Sequence, residues 1–175
     1  LDTGSLPPRD AAFAHAIYDA VIRRWLTLSH ILDEQLSKPL DDLEPRVAAV
    51  LLAGAAQLLL LDRVPPHAAI NHAVEWAKLV IRPGAAGLVN AVLRRVAQLR
   101  ADDAPRRERW TDQRDEIPLP DGTALPLTAP VLPKDPTERL AVVSSTAWVI
   151  LDGWSRTMPP EERQRVALHA IALPP

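Results

Sequence analysis

The stretch RPGAAGLVNAVLRRVAQLR, residues 82–100, loads one short apolar segment with Arg82, Arg94, Arg95 and Arg100. A second group, Arg9, Arg23 and Arg24, borders another helical segment near the start of the chain. A guanidinium presents a planar fork of donors that pairs with two phosphate oxygens and stacks on unpaired bases, which an ammonium does poorly. Arg9, Arg23, Arg24, Arg82, Arg94 and Arg95 are therefore the candidate anion-binding set, able to line one groove. The competing reading is solvated helix surface, with arginine near a helix C-terminus favoured by the macrodipole, and spacing alone favours it. The whole chain has a formal charge of −2, but residues 1–100 carry +1 and the remainder −3, so the positive charge lies in the first part.

Other chemistries find little footing. With no cysteine there is no disulfide, thiolate metal site or cysteine nucleophile. His15, His30, His67, His72 and His169 are scattered, and the five-residue step from His67 to His72 does not stack two ligands on one helix face. No metal site is expected. Gly84 and Gly87 precede a helix whose free amides could hold a phosphate. Without a G-x-G-x-x-G or a P-loop lysine, however, they read better as a tight turn with close packing. Asn71 and Asn90 are expected as buried amides with structural roles. No serine elbow or paired carboxylates stand out, so neither catalysis nor a bound cofactor is expected of these residues.

The elements that must position the arginines are helices. The chain is 47% apolar but only 4% aromatic, so its core is built of Leu, Val, Ile and Ala, a composition that favours an all-α fold. Phe13, Ile17, Val21 and Trp25 recur every fourth residue and predict one buried stripe. A second helix is expected over about 29–36, stopped near Pro39. A third follows Asp41 or Asp42 as N-cap and runs to Leu61, apolar on nearly every face, with Ala53, Gly54, Ala55 and Ala56 letting neighbours approach. A fourth occupies 67–81 with Ala69, Ile70, Ala73, Val74, Ala77 and Ile81 inward. The fifth turns Leu88, Val89, Val92, Leu93, Val96 and Leu99 inward. Five helices joined by short proline-bounded turns make a bundle over residues 1–100.

Residues 101–136 read as a charged, then proline-rich linker. Within it IPLPDGTALPL reads as a small hairpin about the two-residue pair Asp121-Gly122; its prolines forbid a central strand, so the segment is expected as an exposed ribbon or simply an extended linker. Residues 137–175 return to helical periodicity as a pair of helices broken at Pro159-Pro160. This pair is too small to fold alone and must dock on something. No apolar run approaches the roughly 20 residues of a membrane span, and no secretory leader opens the chain, so a cytoplasmic location is expected. The start at Leu1 and the end at Pro174-Pro175 suggest a piece of a longer protein.

Three segments, RDAAFAHAIYDAVIRR, LEPRVAAVLLAGAAQLLLLDRVPPHAAINHAVEWAK and RPGAAGLVNAVLRRVA, resemble in order and spacing the NusB-type RNA-binding fold. More closely, they resemble its version at the N-terminus of the RsmB/Sun/Fmu rRNA cytosine-5 methyltransferases. The tail is similar to that family's connection to its catalytic domain, with Trp148 and Trp154 at tryptophan positions and Pro174-Pro175 at the closing proline run. Departures are Ala56 where an aromatic is usual, Leu52 where an arginine is usual, and Ala147 near an expected proline. The resemblance implies a NusB-like bundle that is itself non-catalytic and holds rRNA by phosphate contacts. Basic residues of the first helix, and Arg94 and Arg95 of the NAVLRR match, would take part. S-adenosylmethionine and a cysteine nucleophile would belong to an attached methyltransferase domain. A stand-alone antitermination factor acting with a ribosomal protein, and a helical protein-interaction scaffold, are the alternatives.

Overall fold

The computed structural model describes residues 2–62, 64–100 and 105–172. Among these the fold is all-α, with eight α-helices and one two-stranded antiparallel sheet. The chain forms two compact units, and the second borrows a helix from the first third of the sequence. Residues 1–23 and 35–97 make the first unit, and residues 24–34 and 98–175 the second. These units cut across the 1–100, 101–136 and 137–175 segmentation read from sequence.

In the first unit, α1 (Pro8–Arg23), α3 (Pro45–Leu60), α4 (Pro66–Trp76) and α5 (Pro83–Leu99) carry the packing. Proline opens α3 and α4, where its missing N–H costs nothing and its fixed φ suits the first turn. The N-cap of α3 is Glu44, not Asp41 or Asp42, which sit in a preceding 3₁₀ turn. Helix α3 is the centre: Val47, Val50, Leu51, Leu52, Gly54, Ala55, Ala56, Leu58 and Leu59 are all buried, as an all-round apolar helix must be. Gly54 meets the Leu93 side chain of α5 so closely that a built Cβ would lie 2.6 Å from Leu93 Cδ1. The fourth helix widens into a π turn over Ala77–Ile81, which leaves Leu79 and Val80 exposed.

Two expected faces differ. No residue of α1 is buried, and Phe13 is 44% exposed. The supposed stripe fails at its end too, because α1 stops at Arg23 and Trp25 begins α2 (Trp25–Asp33), four residues ahead of the expected start. On α5, Val89, Val92, Leu93, Val96 and Leu99 are buried as read, whereas Leu88 is exposed. Leu88 sits about 100° round the helix from Val89, beyond the apolar arc.

The second unit packs α2 against α6 (Pro136–Ser144), with α7 (Trp148–Ser155) and α8 (Pro160–His169) completing it. Leu140, Ala141, Leu151 and Ala167 form a buried cluster flanked by Trp110 and Trp154. The expected helix pair is three helices. Ser145 takes a left-handed φ of 52° and Thr146 N–H donates to the Ala141 carbonyl, a C-terminal cap that ends α6 without proline or glycine. Asp135 caps its start by accepting from the Thr137 and Glu138 amides.

The hairpin is present, as β1 (Glu116–Pro118) and β2 (Ala124–Pro126), with Ile117 opposite Leu125. Its loop has three residues rather than two. Leu119 pairs with Thr123, and Gly122 at φ 85° supplies the left-handed residue that such a loop needs. Both strands are buried, not exposed. The strands are apolar apart from Glu116, and its burial is matched by donors: its carboxylate accepts from Arg107, from the Thr111 amide and hydroxyl, and from the Gln113 amide. Burial alone would raise its pKa, but these donors together hold it below the usual carboxylate range. Arg139 is the second polar node. It grips Asp112 through two bonds of 2.7 and 3.0 Å and donates to the Pro133 and Lys134 carbonyls.

Candidate nucleic-acid interface

Arg9 and Arg23 lie near opposite ends of α1. Fourteen residues at 1.5 Å each separate them by about 21 Å along the axis, on nearly the same side of the helix. They cannot grip one phosphate together, but they can track a backbone. Phe13 stands one turn from Arg9 and offers an exposed ring beside it. The four-residue periodicity had placed that ring in the core. Helix α1 packs on α3 and is partly buried at Ala11, Ala14, Ile17, Ala20, Val21 and Arg23, which leaves Phe13 outside.

On α5 the buried residues occupy one arc and Arg94 and Arg95 point away from it. Arg94 Nε donates to Asn90 Oδ1 at 3.0 Å, one turn back. Asn90 therefore orients Arg94 from the same helix; it is half-buried and Asn71 is exposed, so neither is the buried amide expected from sequence. Arg95 donates one N–H to the Gln35 carbonyl at 2.6 Å, which fixes the guanidinium and leaves its other donors outward. Arg82 makes a long 3.4 Å ion pair with Glu44, both groups well exposed, so solvent screens it and little energy holds it. Among the described residues, Arg9, Arg23, Arg94 and Arg95 have no acidic partner.

Arg24 does not belong to this set. It is only 4% exposed and lies in the second unit, where Nη1 donates to the Pro118 carbonyl at 2.9 Å. Its Nε and Nη2 have no partner among the described residues. Desolvation by burial pulls its pKa down to about 10, which still leaves it charged at neutral pH. The helix break at residue 24 is the physical reason: one residue past Arg23 the chain leaves α1, and the side chain turns inward. No group of three or more metal-ligating side chains is found among the described residues. No helix among them is long and apolar enough to cross a membrane. Pro174 and Pro175 lie outside the described residues.

The NusB family model matches residues 1–98, more than half of the chain, and the chain belongs to the NusB family. Ribosomal RNA small subunit methyltransferase B of Xanthomonas campestris pv. campestris is 36% identical over 166 residues, which cover 83% of this chain and 38% of that protein. The protein of the same name from Thermus thermophilus is 41% identical over 100 residues, 57% of this chain and 24% of its own length. Transcription antitermination protein NusB of Rhodopseudomonas palustris is 34% identical over 99 residues, 55% of this chain and 57% of its own. The chain thus spans well under half the length of these methyltransferase relatives. No solved structure matches it.

Proposed function

We propose that this chain is the non-catalytic RNA-binding part of an rRNA cytosine-5 methyltransferase. In this reading Arg9, Arg23, Arg82, Arg94 and Arg95 hold rRNA by phosphate contacts while Phe13 offers a surface for an unpaired base. The observation that carries the reading is that exposed Arg9, Arg94 and Arg95 and half-buried Arg23, on α1 and α5, lack acidic partners among the described residues. A cation already neutralised by a carboxylate has little to offer a phosphate; Arg9, Arg23, Arg94 and Arg95 remain available, and Arg82 has only a long, solvent-screened pair to Glu44. The family match supplies the RNA-binding expectation.

The extent of the Xanthomonas match favours the methyltransferase reading. It reaches 83% of the chain, well past the 98 residues of the NusB family match, so the second unit's sequence has a counterpart there. A stand-alone antitermination factor working with a ribosomal protein is the second reading, favoured by the Rhodopseudomonas relative. The sheet among the described residues is a pair of three-residue strands, and the chain has no cysteine to serve as nucleophile. On the first reading S-adenosylmethionine, the nucleophile and the chemistry belong to a methyltransferase domain beyond these residues, and the whole works in the cytoplasm.

The test is binding of short rRNA hairpins across a salt series. Phosphate contacts predict a steep linear fall of log affinity with log salt. Arg94→Ala with Arg95→Ala is expected to weaken binding and reduce the slope by about one to two, whereas Arg24→Met is expected to leave the isotherm unchanged. A weak, flat salt response would remove RNA from the account, and an intact isotherm in the double variant would remove the α5 face.

A further inference from the structure

The second unit carries a groove that the RNA reading does not use. It lies between α2 and α6 and is closed at one end by α7, with a volume of about 710 Å³. Thr27 Oγ1 near the start of α2 donates to the Val142 carbonyl near the end of α6. From that point both helices line the groove, α2 as far as Asp33 and α6 back to Asp135, so the two walls run antiparallel. Its two ends therefore differ in chemistry. Toward the start of α2 it is apolar, lined by Leu26, Val142 and Trp148. Trp148 is 54% exposed, and Val149 and Ile150 beside it are also exposed. Toward the other end Asp33, Asp135 and Glu138 converge. The partial charges of the α2 C-terminus and the α6 N-terminus oppose each other there, and Asp135 Oδ1 caps α6 by accepting from the Thr137 and Glu138 amides. Between the ends, Ser29 Oγ is buried at the wall with no hydrogen-bond partner among the described residues.

We infer that this groove docks a basic amphipathic helix of a partner protein. Its apolar side chains would lie against Leu26, Val142 and Trp148, and its lysines or arginines, one to two turns further on, against Asp135 and Glu138. From Leu26 to Asp33 the α2 wall measures about 10 Å, enough for two turns of an apolar helix face set at i, i+3, i+4 and i+7. Charge complementarity selects this occupant. Asp135 and Glu138 put negative charge at one end of the groove, which repels a phosphate backbone and attracts cations. An exposed tryptophan beside a pocket is the kind of anchor that dominates helix-in-groove binding. The groove lies entirely within residues of the second unit, so the inference stands or falls independently of the arginines on α1 and α5.

The experiment pans a display library of helical peptides, about four turns long, against the full chain. Counter-selection uses a Glu138→Lys, Trp148→Ser double variant whose circular dichroism matches the parent; Glu138→Gln replaces the charge reversal if it does not. The expected enrichment is of peptides with Lys or Arg clustered at one end and Leu, Ile, Met or Phe on one face. In titration, each single variant is expected to weaken an enriched peptide at least about tenfold. Three results would overturn the inference: no enrichment, enriched peptides that are acidic or bind the double variant equally well, or a concentration-dependent dimer of the chain that Trp148→Ser abolishes. The last would make the occupant a second copy.

Discussion

The two units reach stability by different routes. The first is held by leucine, valine and alanine packed around α3, and its charged groups stay at the surface. The second buries polar groups, among them Glu116, Arg139 and Thr27, each held by named partners, and Arg24, of which only Nη1 is bonded among the described residues. Apolar packing is tolerant and additive in area, so a wrong atom costs roughly its own volume. A buried ionic node is unforgiving, because removing one partner strands the others without water.

Three measurements can break or sharpen that contrast. The largest effect is expected from Arg139→Ala. It strands Asp112 and two carbonyls, and should cost the second unit about 3 kcal/mol, near the low end for a broken buried pair because Asp112 keeps a 38% exposed side chain. Urea unfolding followed by tryptophan fluorescence, to which Trp25, Trp110, Trp148 and Trp154 contribute from the second unit, checks this, and a midpoint like that of the parent would show that the node is dispensable. Next comes Gly54→Ala. The new methyl collides with Leu93 at 2.6 Å, which should destabilise the first unit by about 1–3 kcal/mol. Hydrogen exchange should quicken across α3 and α5 and not in residues 105–128; equal loss in both regions would mean that the units unfold as one.

The smallest effect at neutral pH, and the clearest in acid, concerns Glu116 and Asp115. The hydrogen bond from Arg107 leads in lowering the Asp115 pKa; Glu116 is lowered by its donors against the opposing effect of burial. Both folded values thus lie below the unfolded ones. The stability they contribute is fully present above the ordinary carboxylate range near pH 4 and is lost as pH falls through the lowered folded values. Amides of residues 107–127 are therefore expected to lose protection below about pH 4 before those of α3 do. Simultaneous loss in both units would deny the hairpin its dependence on these carboxylates.

How much could be read beforehand follows the same divide. Helices α3, α4 and α5 were legible because their apolar residues recur at the helical period and prolines mark their starts. The hairpin was legible from Asp121-Gly122, although not its burial, since nothing about Glu116 in sequence announces that Arg107, Thr111 and Gln113 will converge on it. Helix α2 was misplaced because its start lacks proline, glycine and a capping side chain. Among the arginines, Arg94 and Arg95 could be placed outward from the arc of α5. Arg24 could not be told from Arg23, its neighbour, because a single residue at a helix break decides which one faces water.

The amino-acid order alone determined an all-helical scaffold without thiol chemistry, an arginine-bearing fifth helix and a turn at Gly122, because periodicity, composition and glycine's freedom at positive φ act over a few residues. Only the tertiary structure decided that α2 joins the second unit, that Arg24 is interior and Phe13 exterior, and that an acidic-ended groove opens between α2 and α6. Those outcomes depend on which distant segments compete for the same buried volume, and that competition is settled by packing across a hundred residues or more of chain.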